Sequence, residues 1–189
     1  MTSSLIAPLA RARFVVTLPP EPSSVAAELQ RMSGSSFTVL TDTKDAFLHL
    51  AQRARDRLVV MTPFIDASGA GWASDIFEAT SAKRRELILR EASQLDACGS
   101  NAERLRKSIT HIHEYTLLHE RANNPPSVET FHAKIVLADG IAAYVGSANF
   151  LYRSREMNLE CGFLLEGDAV APVAVLVEAV LNIFDSSVR

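Results

Sequence analysis

The sequence predicts an α/β fold in which a mixed, mostly parallel sheet is flanked by helices. Two continuous apolar runs, LVVM at 58–61 and ELILR at 86–90, are typical of strands that are covered on both faces. Segments with helical spacing of apolar residues accompany these runs. A late hairpin adds antiparallel pairing, because Asp139-Gly140 separates the apolar runs IVLA and IAAYV. Strands that alternate with helices and include one hairpin indicate a mixed sheet between helical layers.

Residues 1–40 are predicted to be an N-terminal extension, and residues 41–189 are predicted to form the main domain. Three prolines within 19–22 interrupt any regular element in the extension. A short helix is expected after them, from about Ser24 to Arg31.

The main domain is predicted to begin with a helix whose N-cap is Thr43. Its apolar positions at helical spacing are Phe47, Leu50, Ala51 and Ala54. The elements expected after it are a strand at 58–61, a loop at 66–71, a helix from near Trp72, a strand at 86–90, a helix opened by a capping box of Ser100 and Glu103, a strand in ITHIHEYTL, the hairpin, a strand in NLECGFLL and a helix at about 171–185.

Length and composition indicate one globular domain with a substantial core. The chain has 189 residues, of which 48% are hydrophobic and 22% charged, both ordinary values. No stretch is predicted to be a transmembrane helix, and the first twenty residues lack a signal-peptide pattern. Cys98 and Cys161 are the two cysteines, so neither a disulfide framework nor a zinc cluster is indicated, and a cytoplasmic location is expected. The net charge of −3 argues against a broad electrostatic contact with nucleic acid, although a local contact stays open.

One segment, FHAKIVLADGIAAYVGSANF, carries the residues that point to chemistry. Its pattern is His-x-Lys-x4-Asp-x6-Gly-Ser-x-Asn, formed by His132, Lys134, Asp139, Gly146, Ser147 and Asn149 and followed by Asn158 and Glu160. His132 and Lys134 share a strand face because they are two residues apart. A two-residue turn places His132 opposite Ser147, with about 4.5–5.5 Å between their β-carbons. The imidazole, ammonium, hydroxyl and amide groups are therefore expected to converge.

These residue types suit reactions at phosphorus. An imidazole can act as a nucleophile or a general acid, and a lysine places a positive charge near a phosphoryl oxygen. The Ser147 hydroxyl and the Asn149 amide can donate hydrogen bonds where charge develops. Asp139 is instead predicted to be structural, because aspartate tolerates the left-handed geometry of the turn. Gly140 and Gly146 are also assigned structural roles.

The pattern resembles the HKD motif of the phospholipase D superfamily, whose members cleave phosphodiester bonds through a phosphohistidine intermediate without a metal. The resemblance covers roughly residues 57–187 and implies the half-domain fold of that superfamily, with one catalytic motif per chain. It implies a catalytic set of His132, Lys134, Ser147, Asn149 and Glu160. The role implied for Glu160 is a bond to the second ring nitrogen of His132, which would orient the imidazole. No cofactor and no metal ion are expected.

The motif occurs once in the chain, whereas a complete site in this superfamily needs two copies. The resemblance therefore implies a homodimer in which two copies of His132 meet across a two-fold axis. The segment GSANFLYRSREMNLECGFLLEG is also similar to small proteins of bacterial phage-defence systems, including the phospholipase-D-like component of DISARM. That finer similarity would make defence-system proteins its partners.

Three polar residues near the motif are predicted to contact substrate. Arg153 and Arg155 follow the GSAN loop and could reach a neighbouring phosphate, and Asn158 belongs to the Asn-x-Glu element after it. Two other groups of residues are not assigned to a site. His111, His113 and His119 are predicted to face solvent or line a cleft, because no acidic or cysteine partner has zinc-site spacing. Cys161 is expected to pack in the core.

The predicted function is a metal-independent phosphodiesterase, with a nuclease favoured over a lipid enzyme. The preference depends on the lack of a predicted membrane segment, export signal or amphipathic basic helix. Two alternatives stay open. One is a phospholipase or phosphatidyltransferase acting on lipid head groups, and the other is a non-catalytic nucleic-acid-binding or assembly subunit of a defence complex.

Overall fold

A seven-stranded mixed sheet with helices on both faces forms most of the fold. The computed structural model describes residues 11–33, 42–121 and 124–186. The strand order is β1-β9-β8-β7-β2-β3-β4, and β5 and β6 form a separate two-stranded sheet. The strands are β1 (Arg11–Thr17), β2 (Arg57–Met61), β3 (Arg84–Leu89), β4 (His111–Glu114), β5 (Thr116–Arg121), β6 (Asn124–Thr130), β7 (Ile135–Ala138), β8 (Ala142–Gly146) and β9 (Glu160–Glu166). The α-helices are α1 (Ser24–Ser33), α2 (Thr43–Arg53), α3 (Ala67–Glu78), α4 (Ser100–Ser108), α5 (Tyr152–Glu156) and α6 (Ala171–Ser186).

The predicted α/β class with a mixed sheet is confirmed, but the expectation of mostly parallel strands is wrong. In the seven-stranded sheet of the described chain, only β2–β3 and β3–β4 pair in parallel. The other four pairings are antiparallel because β7, β8 and β9 follow one another as a meander, with β2 at one side and β1 at the other.

The two faces of the sheet pack against different helices. One hydrophobic cluster contains Phe47 of α2, Trp72 and Phe77 of α3, and Leu105 of α4. The other contains residues of α6, including Val177 and Leu181. Two central strands are apolar over most of their length. Leu58 to Met61 in β2 and all of β7 are buried, as expected for strands covered on both faces.

Several helix boundaries differ from the sequence prediction. Asp42, and not Thr43, is the N-cap of α2, and its carboxylate accepts a hydrogen bond from the Lys44 N–H at 2.7 Å. Helix α3 begins at Ala67, so the predicted loop at 66–71 is wrong. Its N-cap is Asp66, whose carboxylate accepts from the Gly69 N–H at 2.7 Å.

The region from residue 92 to 130 also departs from the prediction. A 3-10 helix (Ala92–Cys98) precedes α4, and Gly99 takes the N-cap position with φ 55°, so the expected capping box does not form. The predicted strand in ITHIHEYTL is two strands, β4 and β5. The second of these pairs with β6 to form an antiparallel hairpin beside the main sheet.

Part of the predicted N-terminal extension joins the main sheet. Strand β1 pairs antiparallel with β9, so that Phe14 lies opposite Phe163 and Thr17 lies opposite Glu160. The predicted helix from about Ser24 is observed as α1. Residues 1–10 and 34–40 of the extension lie outside the described residues, and the division at residue 40 stays a prediction.

The hairpin turn has the expected residues but a different register. Asp139 and Gly140 have φ angles of 51° and 69°, and the Ile141 N–H donates to the Ala138 carbonyl at 3.0 Å. The ladder nevertheless pairs Ala138 with Ala142, so Ile141 is one extra residue. Each later pair is therefore shifted by one position. The Gly146 N–H donates to the Lys134 carbonyl at 3.2 Å, and the predicted pairing of His132 with Ser147 is wrong.

An aromatic cluster holds the loop that contains Asn149. Phe47, Trp72, Tyr144 and Phe150 pack with ring centroids 4.7–5.3 Å apart. The first turn of α3 approaches Phe150 so closely that a β-carbon at Gly69 would lie 1.5 Å from the Phe150 carbonyl oxygen. Only glycine permits this contact, which fixes the start of α3 against the loop.

Helix α6 is unusually apolar. Within the described chain, Gly167–Phe184 is long and apolar enough to cross a membrane by length and composition, so the expectation that no stretch qualifies is corrected. In the fold, Val177, Val180 and Leu181 are buried, whereas Val175 and Leu176 are exposed, and 22% of this stretch is buried.

Candidate active site

His132 and Lys134 lie just before β7, at the edge of the sheet where β2 and β3 end. The Lys134 Nζ is 2.7 Å from His132 Nδ1 and also donates to the His132 carbonyl at 2.7 Å. The two side chains differ in exposure. Lys134 is 6% exposed, whereas His132 faces solvent. An exposed imidazole is therefore held next to a buried ammonium.

The environment of Lys134 changes the pKa of its side chain. Burial lowers the pKa of Lys134 below its ordinary value, because the charged form loses hydration. The negative charge of the Glu160 carboxylate acts in the opposite direction and raises the pKa of Lys134, but it does not cancel the effect of burial. Lys134 and Glu160 are thus electrostatically coupled, although they are separated by 26 positions in sequence.

Buried Glu160 is the centre of a partly exposed polar network at the start of β9. Its side chain accepts hydrogen bonds from the Ser147 hydroxyl and, at 3.4 Å, from Asn158 Nδ2. Ser147 Oγ in turn accepts from the Cys161 N–H at 3.1 Å. The carboxylate makes no hydrogen bond to His132 in this structure, so that predicted contact remains a hypothesis. Ser147 and Asn158 are brought together with Glu160, while His132 is brought together with Lys134.

Asn149 has a buried polar atom without a partner. Its Oδ1 makes no hydrogen bond to any residue in the described part of the chain. The adjacent residues Ala148 and Phe150 are buried and fix the backbone there. A buried oxygen without a hydrogen bond is uncommon in a folded protein, and a catalytic or ligand-binding role is one physical explanation for it.

Two of the three motif residues predicted to be structural, Asp139 and Gly140, lie in the turn at the opposite end of the hairpin from the imidazole. The Asp139 carboxylate accepts hydrogen bonds from the N–H groups of Arg55, Asp56 and Arg57 at 2.7–3.0 Å. Burial raises the pKa of Asp139, but these hydrogen bonds outweigh it and hold the pKa below its ordinary value. Gly140 completes the turn.

Gly146 is required by close packing in β8. A β-carbon there would lie 2.2 Å from the Tyr144 hydroxyl oxygen and 2.6 Å from the Cys161 carbonyl oxygen. A larger residue would displace the strand that leads into Ser147.

The two predicted arginines occupy different environments in α5. Arg153 is exposed. The Arg155 guanidinium lies 5.9 Å from the centre of the Trp72 ring and forms an ion pair with Glu156 at 3.0 Å. Its charge is therefore already compensated, which weakens the case for Arg155 as a phosphate ligand.

Sequence reasoning missed two residues beside His132. The Phe64 ring is 5.8 Å from the imidazole in an edge-on arrangement, and the Arg90 guanidinium lies 5.5 Å from the centre of that ring. Both follow the carboxyl ends of buried parallel strands, β2 and β3. Ligands of open α/β sheets bind at that edge, so this position was the available signal.

The remaining histidines do not form a metal centre. His113 stacks on Phe184 at 4.8 Å, and His119 bonds to Glu129 at 2.8 Å. Among the described residues, no group of three potential metal ligands is present. The prediction that Cys161 packs in the core is wrong. It is exposed, because Glu160 and Gly162 take the inward positions of β9.

The arrangement combines a solvent-accessible imidazole, a buried cation next to it, and hydroxyl, amide and carboxylate groups nearby. An imidazole can form a bond to an electrophilic phosphorus, and the cation can stabilise oxygens that gain charge.

Comparisons with known proteins are consistent with this chemistry. Residues 34–186 match the family model described as "Cardiolipin synthase, PLD-like domain". The fold is similar to that of Nuc from Salmonella typhimurium, a phospholipase D family member, at 14% identity and TM-score 0.53 over 94% of this chain and 93% of Nuc. It is also similar to NucT from Helicobacter pylori, at 16% identity and TM-score 0.51 over 91% of this chain and 93% of NucT. None of the curated protein sequences matches this chain.

Proposed function

Because this chain belongs to the phospholipase D superfamily, we propose that it is a metal-independent phosphodiesterase that acts on nucleic acid through a phosphohistidine intermediate. The observation that carries the proposal is the contact between exposed His132 and buried Lys134, beside the network of Ser147, Asn158 and Glu160. The imidazole is accessible to a large substrate, while the cation is already in place and poorly hydrated.

The proposed reaction has two steps. A ring nitrogen of His132 forms a bond to phosphorus, and the bond from phosphorus to the leaving oxygen breaks. A second His132 gives that oxygen a proton. In the second step the second His132, which has given up its proton, removes a proton from water. The oxygen of that water displaces the first His132 from phosphorus. Lys134 and the Asn149 amide stabilise the non-bridging oxygens in both steps.

A homodimer would supply the second His132. Each chain carries one copy of the motif, which is half of the set that this two-step reaction uses. Three large apolar residues between Asn149 and Glu160 are exposed by 45–52%: Tyr152, Met157 and Leu159. Exposed apolar groups beside an incomplete site favour a partner surface there, and two-fold pairing makes such a surface self-complementary.

The choice of nucleic acid is supported by the surroundings of His132. Arg90 and Phe64 place a cation and an aromatic ring next to the imidazole, and proteins that bind nucleic-acid strands use both groups. The alternative, hydrolysis or transfer of lipid head groups, is favoured by the description of the matching family model.

We propose that the enzyme acts in the cytoplasm. A non-catalytic role in a defence complex is the third candidate.

Hydrolysis of a phosphodiester is expected to survive excess EDTA, because the chain supplies its own nucleophile and cation. The purified protein would be incubated with labelled single-stranded DNA, double-stranded DNA, RNA and phospholipid vesicles, each with and without EDTA. Cleavage of a nucleic acid in EDTA supports the proposal. Activity that disappears in EDTA and returns with magnesium or zinc contradicts the mechanism, and preferential hydrolysis of the phospholipid would establish the lipid alternative.

The alkaline limb of the pH–rate profile is expected to report the proton of Lys134. The ammonium must be charged to bind phosphoryl oxygens, so activity should fall as pH rises through its pKa, which burial lowers from the ordinary 10.5. Glu160→Gln removes the charge that raises this pKa, so the limb should move to lower pH. In Lys134→Arg, the alkaline limb of any activity that remains should move to higher pH, because a guanidinium stays charged in this range.

Asp139→Asn is the matched control for the pH experiment, because Asp139 is an acid of the motif that does not contact Lys134. It should leave the alkaline limb in place. A limb that stays at the same pH in both Glu160→Gln and Lys134→Arg would show that another group titrates.

A further inference from the structure

Arg90, Phe64 and His132 form a row at the carboxyl edge of the parallel strands. The guanidinium carbon of Arg90 is 5.5 Å from the centre of the Phe64 ring, and that ring centre is 5.8 Å from the centre of the His132 ring. Phe64 is 37% exposed and Arg90 is partly exposed, so solvent reaches the row.

Hydrogen bonds from the β5–β6 hairpin fix the orientation of Arg90. Its Nε donates to Thr130 Oγ1 at 3.1 Å, and its carbonyl accepts from Thr116 Oγ1 at 2.8 Å. Thr130 Oγ1 itself donates to the Tyr115 carbonyl at 3.2 Å. The guanidinium is thus held at one nitrogen, which reduces the conformational entropy that it would lose on binding a ligand.

The positive charge of Arg90 is not compensated by a neighbouring acid. Among the side chains that the structure describes, no carboxylate lies within ion-pair distance of Arg90, and its two terminal nitrogens make no hydrogen bond. The acids of the adjacent strands have other partners. Glu129 bonds to Tyr115 and His119, and Glu114 accepts from the Ala92 N–H at 2.8 Å.

Arg155 provides an internal comparison. It also lies over an aromatic ring, that of Trp72, but it forms an ion pair with Glu156. Arg90 instead has two terminal nitrogens that make no hydrogen bond to any described side chain, at the edge where ligands of α/β sheets bind. Paired guanidinium N–H groups match the oxygens of a phosphate.

We propose that Arg90 binds the phosphate next to the scissile one and that Phe64 packs against the nucleoside between them. The substrate class is then single-stranded nucleic acid, because only an unpaired base can stack on a side chain in this way. The inference depends on the proposed nuclease function and specifies the strand on which that function acts.

Two substrates separate this role from a general effect on the reaction. A single-stranded oligonucleotide has a phosphate beside the scissile one, whereas bis(p-nitrophenyl) phosphate has only the scissile group. Arg90→Gln should raise KM for the oligonucleotide by about tenfold or more, as expected for the loss of charged hydrogen bonds. The loss in kcat/KM on the small diester should be several times smaller.

The salt dependence of binding supplies a second readout that a structural role would not change. In His132→Ala protein, which binds without cleaving, adding Arg90→Gln should reduce the slope of log affinity for the oligonucleotide against log salt by about 0.7, the value for one phosphate contact on a single strand. Phe64→Leu should weaken binding of single-stranded more than double-stranded DNA and leave the slope unchanged.

Arg106→Gln is the matched control, because Arg106 lies in α4, near the start of β4 and away from the site. It should match wild type in both assays. Thermal unfolding of all variants checks that they are folded. Thr130→Val, which removes the acceptor of the Arg90 Nε together with the hydrogen bond to the Tyr115 carbonyl, should reproduce part of the KM effect.

The outcomes distinguish the two proposals. Wild-type protein that hydrolyses the small diester but no nucleic acid would overturn both the nuclease function and this role of Arg90. Wild-type cleavage of the oligonucleotide, with KM and salt slope unchanged in Arg90→Gln, would overturn the inference alone. Equal losses on both substrates would also overturn it, because they would place Arg90 at the scissile phosphate.

Discussion

Lys134→Ala is expected to reduce turnover by about 10²- to 10³-fold or more, which is the usual cost of removing one group that stabilises transition-state charge. The ammonium lies 2.7 Å from the imidazole and is almost fully buried, so water cannot replace it efficiently. The fold should survive, because burial lowers the pKa of Lys134 and therefore disfavours the charged form in the folded state. Steady-state kinetics on a small phosphodiester and thermal unfolding would measure the two effects separately.

Asp139→Asn should have the opposite effects, with activity retained and stability reduced, and is the control for Lys134→Ala. Its activity should stay near that of wild type, because asparagine also suits the turn. Its free energy of unfolding should fall by about 1–3 kcal/mol, since an amide cannot accept all three backbone hydrogen bonds as well as a carboxylate. A folded but inactive Asp139→Asn protein would show that the structural role assigned to this residue is wrong.

The pH dependence of stability gives a further check on Asp139. The pKa of this carboxyl is lower in the folded state than its ordinary 3.8, so its contribution is present above the unfolded pKa and is lost as pH falls through the folded one. The difference in unfolding free energy between wild type and Asp139→Asn should therefore shrink in acid.

Much of the sheet could be predicted because its strands are apolar on both faces. The runs at 58–61 and 86–90 correspond to β2 and β3, and the helical spacing from Phe47 to Ala51 identifies the buried face of α2. These signals are local. Burial on both faces makes most residues of a strand apolar, regardless of which strand lies beside it, although β3 also buries Glu86.

The start of α3 could not be predicted for a physical reason. Glycine and serine are weak helix formers, so ASGAG indicates a loop. Gly69 is needed because the helix meets the Phe150 carbonyl, and that contact joins residues 81 positions apart. Strand β6 also could not be predicted from local sequence. Pro125 and Pro126 argue against a strand, and only the pairing with β5 reveals it.

The candidate site was predictable in composition but not in geometry. The spacing of the motif identifies the residues, and a turn at Asp139-Gly140 is expected from residue type. The extra residue at Ile141 shifts the register by one, and local sequence does not reveal it. Arg90 and Phe64 have no motif of their own. Their importance depends on distances to His132 that only the packed sheet determines.

The shared site is the central claim, and mixed dimers test it most directly. Wild-type and His132→Ala chains would be co-refolded at a series of ratios and assayed for phosphodiester hydrolysis. Mixtures of wild type with Arg106→Gln chains serve as the control for refolding. If one reaction centre uses His132 from both chains, a mixed dimer lacks either the nucleophile or the general acid, and the loss of either should remove most of the rate.

Random two-fold pairing at equal amounts then leaves about one quarter of the dimers fully active. Activity should therefore follow the square of the wild-type fraction, while the control mixtures keep full activity. Activity that falls linearly with the wild-type fraction would mean that each chain works alone, and it would contradict the shared site.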